Sequence, residues 1–382
     1  MSEKVSVLFV LPAGSDEGAA VEETQRGVGS QTYPSSLIEV IQVQYVPTAP
    51  GAHASALNAA REGTTGAFVV HAEPGVVWDG NKIERQVERL QANRSVAGCV
   101  HRMTARDQDG KARALDLAEI RAYGCRIGSL LRSPWGPGAA MLQRDVAAGL
   151  GAYRNTEEVL WEYAVRLASR DHALDLLDED LAVWEVHSEA DVGTKRRTLV
   201  PVQICHPFLK PYLDRSTPEA LFEGRGPVST AASRLVLAGL YQQNDDLEAS
   251  HTLCQEVDRE CGLPEASYWH GIVHRREPDF SNARGWFRKA EGLGALPEIH
   301  RAAGAFLQRV LQMPEYGESR EVALQFLRHL QSHGTWDPLY FLDLCEACTT
   351  GGSTEAQRLL EEAQEVEFTT LFDWTYRMAT EG

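Results

Sequence analysis

An α/β domain followed by an all-α helical repeat domain is the fold class this sequence predicts, on three observations. The chain has 382 residues, enough for two compact units at about 100–200 residues each. Short apolar runs alternate with amphipathic segments over the first half. The second half keeps helical periodicity and repeats itself. The expected division is 1–200 for the α/β domain, 201–229 for a linker and 230–382 for the helical repeats.

Val5–Pro12 is a continuous apolar run, the signature of a parallel strand covered on both faces. Ala19–Gly29 reads as a helix and Leu37–Val46 as a second strand. Ala54–Glu62 is a short helix, followed by a third apolar run at Gly66–Val70. Lys82–Gln91 has helical spacing, with Ile83, Val87 and Leu90 on one face. This alternation predicts a parallel sheet with right-handed crossovers. Ligands of such sheets gather beyond the carboxyl ends of the strands, here around Pro12, Val46 and His71.

Composition narrows the function classes. Hydrophobic residues make up 43% and charged residues 24%, a globular balance. With 37 basic against 54 acidic residues the net charge is −17, which repels phosphate backbones and anionic lipid, so nucleic acid is not an expected partner. The apolar run near the N-terminus is too short for a signal peptide or a bilayer span, so no transmembrane segment and a cytoplasmic location are expected. Seven widely spaced cysteines fit reduced thiols. Cys345 and Cys348 form a single CxxC within a helical stretch; without a second pair they read as packing thiols rather than a zinc site.

The first half also carries a family resemblance. Val5–Pro12, the Ser30-Gln31-Thr32-Tyr33-Pro34 segment, Leu57-Asn58-Ala59-Ala60-Arg61, Thr65–Pro74, Trp78 and Lys82–Val87 occur in the order of family 2 glycosyltransferases with the GT-A fold. Gly138–Leu142, Asn155–Glu158, Trp161 and Arg166–Ala168 resemble that family's acceptor-side segments. The resemblance spans about residues 4–190.

It implies a nucleotide-sugar donor bound by Pro12, Gly14, Gln44, Asn58, Ala72 and Glu73. It also implies a divalent metal, Mn or Mg, on an Asp-x-Asp motif, because carboxylates suit the hard cations that bridge diphosphate. The matching positions are His71 and Glu73. An imidazole in that pair shifts preference toward transition metals. Gln44 and Tyr45 stand where the family carries an Asp pair at the nucleoside; an amide can still pair with a base edge. The resemblance places the general base at Glu157 or Glu158, with Glu158 preferred, in the first turn of a helix capped by Asn155 or Thr156. Ordinary helix-capping chemistry explains the same two acids without catalysis.

Beyond a Pro- and Gly-rich stretch that includes Lys195-Arg196-Arg197, Pro278–Ala290 resembles the second helix of a tetratricopeptide repeat. Gly271, Ala283, Phe287 and Ala290 fill its small and aromatic positions. An earlier turn at Asn244-Asp245-Asp246 lies about one period upstream. Such arrays commonly hold a peptide or protein partner on a concave face. His270, His274 and Glu277 share one helical face. They read as a hydrogen-bonded structural cluster with Asp279 and His251, or else as a site for a metal or anion.

Three function readings follow: a sugar transferase that uses a nucleotide-sugar; a catalytically inactive GT-A-like scaffold or nucleotide sensor that acts through the helical repeats; and a partner-binding solenoid whose first domain is only structural.

Overall fold

Strand β1 (Val5–Pro12) is buried along nearly its whole length, as its unbroken apolar sequence requires. It belongs to a computed structural model that describes residues 3–13, 18–106, 110, 112–115, 117–131, 136, 138–185, 198–222, 226–317, 319–351 and 356–381. The chain divides into two compact units, residues 1–194 and 195–382.

In the first unit β1 is followed by α1 (Gly18–Gly29), β2 (Ile38–Tyr45), α2 (Ala52–Glu62), β3 (Phe68–Ala72), β4 (Val76–Trp78) and α3 (Lys82–Ala92). Then come β5 (Gly98–Arg106), β6 (Ala112–Leu115), α4 (Ala118–Leu131), β7 (Ala140–Gln143), α5 (Arg144–Leu150), α6 (Val159–Ala168) and β8 (Leu174–Glu185). The strands form one sheet in the order β2-β1-β3-β7-β5-β8-β4, with β6 paired to β5. Helices flank it, giving the α/β class expected from the sequence.

The sheet is mixed, where the alternation of elements predicted a parallel one. Pairs β1–β2, β1–β3 and β5–β8 are parallel. Strand β7 runs antiparallel to both β3 and β5, and β4 antiparallel to β8. The reversal into β7 needs Gly138, whose φ of +71° is one that side chains resist. A Cβ there would also lie 2.8 Å from the His71 carbonyl oxygen.

The second unit contains the short helices α7 (Lys210–Leu213) and α8 (Pro218–Leu221), then α9 (Thr230–Gln243), α10 (Leu247–Cys261), α11 (Pro264–Arg276) and α12 (Phe280–Lys289). It ends with α13 (Leu296–Val310), α14 (Arg320–His333), α15 (Pro338–Gly351) and α16 (Gln357–Thr380). The stretch expected as a linker packs into this unit. His206 N donates to Asn244 Oδ1 at 2.9 Å, Lys210 pairs with Asp246 at 2.7 Å, and Leu209, Leu213 and Leu221 are buried.

Helix pairs α9–α10 and α11–α12 each turn over three residues, and Asp246 and Asp279, one repeat apart, cap the second helix of each pair. Gly271 has the close contact expected of it: a Cβ there would sit 2.8 Å from the Phe287 ring. Helix α16 packs against α9, α11 and α13. Trp269 Nε1 donates to Thr375 Oγ1 at 3.1 Å, Tyr268 donates to Glu367 at 2.6 Å, and Arg275 pairs with Glu367 at 2.5 Å. Among the described residues no helix is long and apolar enough to cross a membrane, and all seven cysteines are free thiols.

Candidate functional site

The carboxyl ends of β2, β1 and β3 form a step. Pro12 lies level with Tyr45, whereas β3 stops at Ala72, level with Phe9. Strands β1 and β2 therefore overhang β3, and Glu73 is the first residue past its end. Ala72 is buried, Gln44 is exposed on the edge strand, and Gly14 lies outside the described residues.

His71 faces inward. Its Nε2 lies 2.8 Å from the Tyr153 hydroxyl, and the two rings meet edge-on at 5.7 Å. Burial, with His53 and Lys82 nearby, pulls the imidazole down to about 3, so it is neutral at physiological pH. Tyr153 stacks on Tyr163 at 4.3 Å.

Asn58 holds that tyrosine in place. Its Nδ2 donates to the Tyr153 carbonyl at 3.0 Å, and its Oδ1 accepts from the Tyr153 amide at 2.8 Å. The amide expected to touch a donor therefore ties α2 to the loop after α5. The same loop is pinned nearby, where Gly51 approaches Asn155 so closely that a Cβ would lie 3.0 Å from its side chain.

Glu73 is partly buried, and desolvation pushes its carboxyl up to about 7. Its backbone oxygen accepts from Thr24 Oγ1 at 3.2 Å. Tyr45 stacks on His53 at 5.1 Å. A hard divalent ion wants ionised oxygen ligands. Here Glu73 is the one carboxylate of the motif and resists ionisation, while Tyr153 already occupies His71 Nε2. On their own these two side chains do not fit such an ion.

Glu157 and Glu158 precede the helix rather than open it. Helix α6 begins at Val159, Glu158 holds the N-cap position without a side-chain capping bond, and the acid of the first turn is Glu162. Neither Asn155 nor Thr156 is the cap; the Thr156 hydroxyl oxygen is buried without a partner. Both candidate bases are exposed. Glu162 is buried and committed to Arg166 at 2.9 Å and Arg154 at 3.2 Å.

Solved structures offer distant likenesses. Staphylococcus aureus TarS matches at 11% identity over 75% of this chain and 55% of its own, with a TM-score of 0.47. TarS 1–349 in complex with UDP-GlcNAc matches at 10% identity over 75% of this chain and 90% of its own, with a TM-score of 0.48. The mannosyltransferase PcManGT from Pyrobaculum calidifontis, in complex with GDP-Man and Mn2+, matches at 13% identity over 99% and 87%, with a TM-score of 0.38. The chain thus spans about half of the longer TarS chain. No family model and no curated protein matches the sequence. Identities this low leave the weight on the site's own geometry.

Sequence reasoning missed the polar layer behind the step. Lys82 is wholly buried, donates to Gln86 Oε1 at 2.8 Å and lies 4.0 Å over the Trp78 ring. Burial draws its ammonium down to about 7 and the neighbouring His101 down to about 3. Trp78 Nε1 and His101 Nε2 have no partner. A signal existed: Lys82 and Gln86 are four residues apart beside the apolar positions Ile83 and Val87, so they share the buried side of α3.

Proposed function

We propose that the first domain binds a nucleoside diphosphate-sugar across the step at the ends of β2, β1 and β3, and that the chain is a glycosyltransferase of family 2 type. Support comes from the overhang of β1 and β2 past β3, with Glu73 as the first side chain beyond the shorter strand. Crevices at the carboxyl ends of open α/β sheets are where such ligands bind. Pro12 and Glu73 stand at the strand ends there, and Gln44, exposed on the edge strand, carries an amide that can pair with a base edge. In the transfer the acceptor oxygen bonds to the anomeric carbon as the bond to the diphosphate breaks. The acceptor proton passes to an exposed carboxylate, Glu158 or Glu157. No step is routed through a metal.

The His71–Tyr153 bond and the Asn58 clamp favour a second reading, nucleotide binding without transfer by a sensor or scaffold. His71, assigned to the metal, and Asn58, assigned to the donor, both serve internal contacts. Titrating the full chain with UDP and GDP, with and without Mn2+, separates the cases. Saturable binding that Glu73→Ala weakens at least about tenfold, together with transfer from a nucleotide-sugar, supports the enzyme. Binding without turnover leaves the sensor, and no binding in either condition removes both.

A further inference from the structure

Three histidines meet in the second unit, on the joined faces of α10 and α11. His251 comes from α10, and His270 and His274 lie one turn apart on α11. Their ring nitrogens lie within 4.8 Å of one another. Ring centroids are 4.3 Å apart for His251–His270, 5.1 Å for His251–His274 and 4.8 Å for His270–His274.

Internal hydrogen bonding does not account for His270. His270 is fully buried, and among the described residues neither of its ring nitrogens has a partner. Buried polar groups without partners are rare in folded proteins and call for an explanation. Asp279, expected to join the cluster, instead caps α12 by accepting from Asn282 N. The face of His270 away from His274 stacks on Trp286 at 3.9 Å, which fixes the plane of the ring but satisfies neither nitrogen.

His274 is arranged as a metal-ligating histidine commonly is. Its Nδ1 lies 3.2 Å from Glu277 Oε2, and its Nε2 lies 3.1 Å from Asn282 Nδ2. Donation from Nδ1–H to the carboxylate fixes the tautomer, the usual outer-shell support of a ligand, and puts the lone pair on Nε2, where it accepts from the Asn282 amide.

We propose that His251, His270 and His274 form a binding site for a zinc-class transition-metal ion that staples α10 to α11. Three imidazoles with no carboxylate among the ligands suit zinc, nickel or cobalt, not magnesium or calcium. Zinc–nitrogen distances of about 2.0–2.1 Å require the rings to close by roughly an ångström of side-chain rotation, with the Asn282 amide yielding Nε2. His251 is only partly buried, so the fourth position goes to water. The second cluster, His329, His333 and Asp337, is different. There His329 Nε2 is already bound to Asp337 at 3.0 Å, and Asp337 caps α15 through the Leu339 and Tyr340 amides.

The test is a cobalt(II) titration of the chelator-stripped full chain, read by the visible absorption of four-coordinate cobalt and reversed by zinc. One equivalent is expected to bind with a tetrahedral spectrum, and zinc is expected to raise the melting temperature. His251→Gln, at a partly exposed position, should weaken binding at least tenfold while the metal-free melt stays at the wild-type value. The double substitution His329→Gln, His333→Gln should leave binding intact. Absence of one-equivalent tetrahedral uptake by the wild-type chain overturns the proposal, whatever the variants do. So does unchanged affinity in His251→Gln, or loss of binding in the His329, His333 variant instead.

Discussion

The Tyr153 hydroxyl meets His71 Nε2 at 2.8 Å inside the first unit, and Asn58 grips the backbone of the same tyrosine at both its amide and its carbonyl. The end of β3 is thereby fastened to α2 through one loop residue. Tyr153→Phe removes this buried hydrogen bond, at a cost of about 0.5–1.5 kcal/mol. Urea unfolding should show that loss. Equal stability of Tyr153→Phe and the wild type would discard the fastening.

Glu73 sets a pH dependence whose sign can be stated. Its folded-state value, about 7, stands above the ordinary carboxylate value of 4.5, so the folded chain prefers the proton. The stabilisation is fully present below about 4.5 and is lost as pH rises through about 7. Thermal melts from pH 5 to pH 8 should lose on the order of 1–3 kcal/mol in the wild type relative to Glu73→Gln. The histidines act in the opposite direction: His71 and His101, drawn down to about 3, lose stability as pH falls from about 6.5 toward 3. Indistinguishable profiles for wild type and Glu73→Gln would contradict the buried environment of the carboxyl.

If transfer occurs, its proton acceptor is one of two neighbouring acids. Glu158→Gln is expected to lower turnover by about 10²–10⁴-fold with nucleotide affinity unchanged. Glu157→Gln should have the smaller effect, and the reverse order would move the role to Glu157. Single-turnover release of nucleoside diphosphate measures both.

In the second unit Glu367 is fully buried against Arg275 and also accepts from Tyr268. Glu367→Gln strands a buried guanidinium and should cost about 3–5 kcal/mol. Adding Arg275→Met should recover much of that loss, because the pair's desolvation cost is removed with it. Calorimetry of the four chains of this cycle provides the check, and an additive double variant would deny the coupling.

The fold was largely legible because its signals are local. The apolar run of β1, the alternation of β2 and the Asp-capped turns at Asp246 and Asp279 each declare themselves within a few residues. The reversed β7 was not legible, since four residues following a glycine turn carry too little periodicity to give a direction. The site was legible in outline and not in detail. His71-Ala72-Glu73 could be placed at a strand end, but the residues that claim His71 come from Tyr153, far along the chain. Lys82 escaped notice because a lysine near a helix start is ordinarily solvated, and only packing against Trp78 shows otherwise. The acids Glu157 and Glu158 were read one turn too deep into α6, since an acid-rich first turn and an acidic approach to a helix look alike in sequence.

Helix α16, 24 residues long, packs across α9, α11 and α13. The same attachment joins the first helix pair to the last turn of the chain, so melting should run as one cooperative event instead of fraying inward from an end.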